Sequence, residues 1–134
     1  MRKFYRDRLL KLAEHMNGLG FRVYVSNSTH FNYGFFSTSL DSPAVGFEVE
    51  RLTGLYKFGS VCRPSRQFGT GCQLNSFGCL TEVTSEALAG MVTKPMPGWY
   101  KRPEVDRLSL ADKVSDCGDR VKPFCPAGQL SDES

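Results

Sequence analysis

The stretch Gly20-Phe21-Arg22-Val23-Tyr24-Val25-Ser26 is where the hydrophobic period changes from helical to alternating, and the fold is read from that change. Phe21, Val23 and Val25 point to one side and Arg22, Tyr24 and Ser26 to the other, the pattern of a half-buried strand. Upstream, Leu9, Leu12, Ala13 and Met16 share one face at helical spacing, while Arg2, Lys3, Arg6, Arg8 and Lys11 supply most of the remaining surface. Asn17-Gly18 and Gly20 stop this helix, because glycine tolerates the left-handed backbone of a helix C-terminus.

Downstream the alternation repeats. Phe31, Tyr33 and Phe35 alternate with Asn32, Gly34 and Phe36 after the turn residues Asn27-Ser28-Thr29-His30. Asp41-Ser42-Pro43 turns the chain again, and Val45, Phe47 and Val49 alternate with Gly46, Glu48 and Glu50. Thr53-Gly54 is short enough for a hairpin into a strand over Leu55–Cys62, and a weaker strand is expected over Gly71–Leu74. The order then loosens. A short helix is expected over Thr84–Val92, with Ala87, Leu88 and Met91 inward and Pro95 and Pro97 beyond its end. Ser109-Leu110-Ala111-Asp112 reads as a capped helix start, with serine at the cap and a carboxylate three residues on. The expected fold is α+β: an N-terminal helix packed on an antiparallel sheet of four to five strands, with a less regular C-terminal segment. Residues 1–128 read as a single domain and 129–134 as a frayed tail with little to bury.

Composition narrows the function classes. The 134 residues are 40% apolar and 23% charged, which suits a packed core and argues against wholesale disorder. The net charge is +3, with no apolar run near the roughly 18 residues of a membrane helix. The charged opening MRKFYRDRLL does not read as a signal peptide, and the five cysteines are an odd count, so a cytoplasmic, reducing setting and no membrane partner are expected. Cys62, Cys72, Cys79, Cys117 and Cys125 contain no pair two to four residues apart, and His15 and His30 are isolated, so neither a structural zinc site nor a Cys–His nucleophile is expected. Gly69-Thr70-Gly71 lacks the lysine of a nucleotide-binding loop. Glu48 and Glu50 share a strand face about 7 Å apart, either as a paired-carboxylate site or as the ordinary solvent face of a sheet. No catalytic residue and no cofactor is expected, and the chain reads as a binder rather than an enzyme.

Charge and aromatics supply the binding candidates. Arg51, Lys57, Arg63 and Arg66 lie between Arg51 and Thr81 with no acid among them, while the portion from Glu104 onward is acidic. Bases interleaved with Tyr56, Phe58 and Phe68 suit phosphate tracking and base stacking, or a hairpin carrying a solvated basic loop. Ten Phe, five Tyr and one Trp are many for one small core. Adjacent Phe35 and Phe36 must face opposite sides of the sheet, so either the C-terminal part covers the second face or one ring serves a docking surface. Trp99, beside Tyr100, Lys101 and Arg102, is a second candidate anchor or a pair folded back onto the sheet.

Tyr33-Gly34-Phe35-Phe36-Ser37, Val45-Gly46-Phe47 and Gly69-Thr70-Gly71-Cys72-Gln73 resemble small accessory proteins of phages and plasmids, over residues 4–75. That resemblance implies a compact, cofactor-free protein of anti-CRISPR or other anti-defence type, which blocks a host nucleoprotein in the bacterial cytoplasm by binding it. It transfers no catalytic residue. The expected partner contacts are Arg51, Lys57, Arg63, Arg66, Trp99 and Phe36. The alternative expectation is a nucleic-acid-binding accessory protein that uses the basic 51–66 segment.

Overall fold

The structure, a computed structural model, describes residues 2–59, 75–93 and 108–126. Helix α1 (Arg2–Gly18) leads into strands β1 (Arg22–Ser26), β2 (Tyr33–Ser37), β3 (Val45–Val49), β4 (Tyr56–Gly59) and β5 (Asn75–Phe77). A 3-10 turn (Leu80–Glu82), helix α2 (Ser85–Thr93), helix α3 (Leu110–Cys117), a second 3-10 turn (Gly118–Arg120) and strand β6 (Val121–Pro123) complete the described elements. The strands form one antiparallel sheet in the order β5-β4-β3-β2-β1-β6.

The α+β reading holds, with six strands among the described residues against the four to five expected. The expectation lacks both β5, which begins just after the Gly71–Leu74 stretch, and β6 from the C-terminal part, in which Val121 pairs with Ser26, Lys122 with Val25 and Pro123 with Tyr24. Three residues ending in proline carry no readable alternation. At a sheet edge, however, a missing N–H is tolerated, which is where Pro123 sits. The strand expected over Gly71–Leu74 and the far end of Leu55–Cys62 lie outside the described residues, as do Pro95, Pro97 and the 129–134 tail.

Both sheet faces are packed. On one, Leu9, Leu12, Ala13 and Met16 of α1 are fully buried against Phe21, Val23, Val25, Phe36, Val45, Phe47, Val49, Tyr56 and Phe58, joined by Leu88, Met91 and Val92 of α2. On the other, Tyr33 and Phe35 pack with Ala44, Leu110, Cys117 and Val121. The Phe35–Phe36 pair is therefore resolved by a covered second face. Helix α3 reaches that face because its start is tied to the β2–β3 connection: Leu110 N donates to Ser42 O at 2.9 Å, and Ala44 N to Leu108 O at 3.0 Å. Ser109 caps it as expected, its Oγ accepting from Asp112 N at 3.1 Å. Thr84 does the same for α2, accepting from Ala87 N at 3.1 Å.

Candidate functional surface

The β3–β4 hairpin presents the first expected contact. Glu50 N donates to Leu55 O at 2.9 Å and Gly54 N to Glu50 O at 2.8 Å, closing a tight turn over residues 50–55. Gly54 has a φ of 74°, a left-handed value that side-chain-bearing residues rarely adopt, which explains the glycine in Thr53-Gly54. Arg51 and Leu52 consequently stand at the tip, Leu52 with 93% of its surface exposed.

Helix α1 meets that tip. Tyr5 donates its hydroxyl proton to the Arg51 carbonyl. Arg8 Nε donates to Gly54 O at 2.9 Å, and its guanidinium lies 4.4 Å from the Tyr56 ring centre and 5.9 Å from that of Phe4. Phe4 is 54% exposed. On the neighbouring loop, Asn32 O accepts from Val49 N at 3.1 Å, Ser26 Oγ donates to Phe31 O, and Arg6 Nη1 donates to Ser26 Oγ at 3.3 Å. Phe31, 62% exposed, thus belongs to the same end of the sheet. Three exposed large apolar side chains, Phe4, Phe31 and Leu52, gather where Arg6, Arg8 and Arg51 also lie. Leu19, also exposed, sits at the opposite end of α1.

Sequence reading found Arg51 here but not Phe4, Leu52 or Arg8. Phe4 is one apolar residue in a basic helix segment, and its place beside the hairpin depends on a contact between segments 46 residues apart. Phe36, expected as a docking contact, is a correction. It is wholly buried, at 5.7 Å ring to ring from Phe21 and 5.8 Å from Phe58, because its strand parity turns it toward α1. Lys57 is half-buried on the sheet face away from α1, with Nζ 3.3 Å from Glu50 Oε1 and Glu48 as its cross-strand partner. It does not join Arg51 in one basic row. Arg63, Arg66 and Trp99 lie outside the described residues.

The two carboxylates of that face are pushed apart. Burial raises the Glu48 carboxyl from 4.5 to about 7, Lys57 opposing the rise and Glu50 adding to it. Glu50 is held below its usual range by hydrogen bonds from Thr53 and Lys57. A carboxyl raised in the folded state binds its proton more tightly there than in the unfolded chain. Between pH 4.5 and about 7, folded protein therefore holds more protons, and stability falls as pH rises through that window. Urea midpoints measured at pH 5, 6, 7 and 8 should decline, and Glu48→Gln should flatten the decline. A variant as pH-dependent as the parent would show that another group is responsible.

His15, one of the two histidines, has a structural partner: its Nε2 lies 2.7 Å from the Val83 carbonyl oxygen, joining α1 to the start of α2. Among the described residues no helix is long and apolar enough to cross a membrane, and no three His, Cys, Asp or Glu side chains gather as metal ligands would. The chain matches no protein-family model, no curated protein and no solved structure.

Proposed function

We propose that the protein is a binding module that inhibits by occlusion, docking the Phe4–Arg51–Leu52 end of its sheet onto an acidic, partly apolar surface of a host defence nucleoprotein. The observation that carries this reading is the exposure of Phe4 and Leu52 beside Arg8 and Arg51. Arginine next to exposed apolar side chains is the composition of an interface centre, where a few anchors supply most of the binding energy. Positive charge favours an acidic partner face, speeding encounter and rejecting basic partners. The defence-complex assignment rests on the resemblance of residues 33–37, 45–47 and 69–73 to phage and plasmid accessory proteins. The nucleic-acid alternative draws less support, because Lys57 is engaged by Glu50 and turned to a different face from the α1-side patch.

Affinity purification from a bacterial lysate containing a CRISPR or comparable defence complex tests the reading. Subunits of that complex should co-elute with the parent, and the Arg51→Glu/Leu52→Asp double variant should lose them. Both positions are exposed, so the unfolding free energy of the double variant, measured in urea, should change by no more than about 1 kcal/mol. Recovery of the parent alone, or equal capture by the double variant, would count against the proposal. Binding of oligonucleotides that weakens steeply with salt would instead favour the nucleic-acid reading.

A further inference from the structure

Beside the β1–β2 loop lies a cavity of about 460 Å³, lined among the described residues by Ser26, Asn27, Ser28, Phe31, Tyr33, Asp119 and Arg120. Its size is that of a small-molecule site, and of its lining residues Phe31 also belongs to the end of the sheet proposed to dock. We propose that it binds a single planar heteroaromatic ring of the nucleobase type, stacked on Phe31 and hydrogen-bonded along its edge by Tyr33, Asn27 and Arg120. This proposal stands apart from the docking reading and does not require it.

The cavity walls are tied together by one backbone and two side-chain hydrogen bonds, all accepted by backbone carbonyls. Asn27 N donates to Arg120 O at 2.8 Å, and Asn27 Nδ2 donates to Asp119 O, so the loop after β1 is tied to the 3-10 turn before β6. Ser26, itself buried, fixes the other side of the loop by donating its hydroxyl to Phe31 O. These ties make the walls preformed, which spares a ligand the ordering cost of closing them.

The polar groups left over define the ligand. Asn27 Oδ1 remains an acceptor once its amide nitrogen is used. Arg120 spends Nε on Cys117 O at 3.0 Å and Nη2 on Asp116 O at 3.3 Å, which anchors the guanidinium and leaves Nη1 to donate. Tyr33, 8% exposed, lines the cavity and carries a hydroxyl that can donate. Burial pushes its phenol above the ordinary value, so it is protonated and a donor at neutral pH. Asp119 and Arg120 both line the cavity, so the lining carries no net formal charge, which disfavours a bare multiply charged anion. The exposed Phe31 ring offers a flat apolar face that an inorganic ion does not use. A ring with both donors and acceptors on its edge uses all of these groups, and base–aromatic stacking is tolerant of which base is present.

The source of the ring, free nucleoside or a base in a single strand, is separated by the test. The ¹⁵N-labelled full chain is titrated with adenosine, cytidine, guanosine and uridine, and separately with short single-stranded oligonucleotides. Saturable amide shifts are expected at Ser26–Ser28, Phe31, Tyr33, Asp119 and Arg120. With nucleosides they identify a free small ligand; with oligonucleotides alone they identify a base within a strand. Phe31→Ala should weaken binding about ten-fold or more, and Tyr33→Phe about three- to ten-fold. Phe31 is exposed, so its variant should keep the parent spectrum elsewhere. Absence of saturable shifts with either ligand class at millimolar concentration would overturn the proposal, as would shifts that Phe31→Ala leaves unchanged.

Discussion

Gly34→Ala should destabilise the protein by about 3 kcal/mol or more. Gly34 pairs with Val25 on one side and Phe47 on the other, in the middle of the sheet. A Cβ placed there would run into the Tyr24 carbonyl oxygen and stand 2.5 Å from Phe47 Cζ. The first obstacle is backbone, held in the β1–β2 ladder, and cannot yield without breaking strand pairing. The second is a wholly buried ring wedged 6.4 Å from the Phe36 ring and 6.1 Å from that of Phe58, so it has nowhere to swing. Overpacking a core ordinarily costs about 1–3 kcal/mol and more where backbone must move. Against a total stability of about 5–15 kcal/mol, a loss at or above the top of that range should be plain in the urea midpoint. A Gly34→Ala variant within about 1 kcal/mol of the parent would contradict the close approach of these three strands.

The same residue shows where sequence reading stops. Gly34 falls in the alternation of the second strand, and parity alone assigns it to the face of Phe36, where it is found. That Phe47 lies over it is a cross-strand fact, set by register, and no local pattern encodes register. The division recurs through the molecule. The buried stripe of α1, the turn at Thr53-Gly54 and the Ser109 cap were legible because each depends on residues a few positions apart. β6 was not, because three residues acquire strand geometry only by pairing with β1. The candidate site divides likewise. Arg51 was visible as a base in a turn, whereas Phe4 and Leu52 become significant only when α1 and the hairpin meet. The two carboxylates were visible as a spaced pair, but their divergence arises from unequal burial and from the particular groups that touch Glu50.

Phe36→Ala should destabilise the protein by about 3–5 kcal/mol, the range for deleting a buried phenylalanine ring and leaving its cavity. Phe36 touches the sheet's aromatic cluster from three sides: Phe21 and Phe58 edge-on at 5.7 and 5.8 Å, and Phe47 tilted at 6.4 Å. Edge-on and tilted rings pack tightly because their positive edges meet negative faces, so neighbours set at these angles refill a vacated ring poorly. Leu52→Ala, at a side chain 93% exposed, should change the unfolding free energy by no more than about 0.5 kcal/mol. The pair separates two ways of losing a partner. If Phe36→Ala abolishes binding while the midpoint falls, the loss belongs to the fold. If Leu52→Ala weakens binding at constant stability, the loss belongs to the surface. A Phe36→Ala protein as stable as the parent would mean that the ring is not in the core, and would return Phe36 to the docking face that its sequence neighbourhood first suggested.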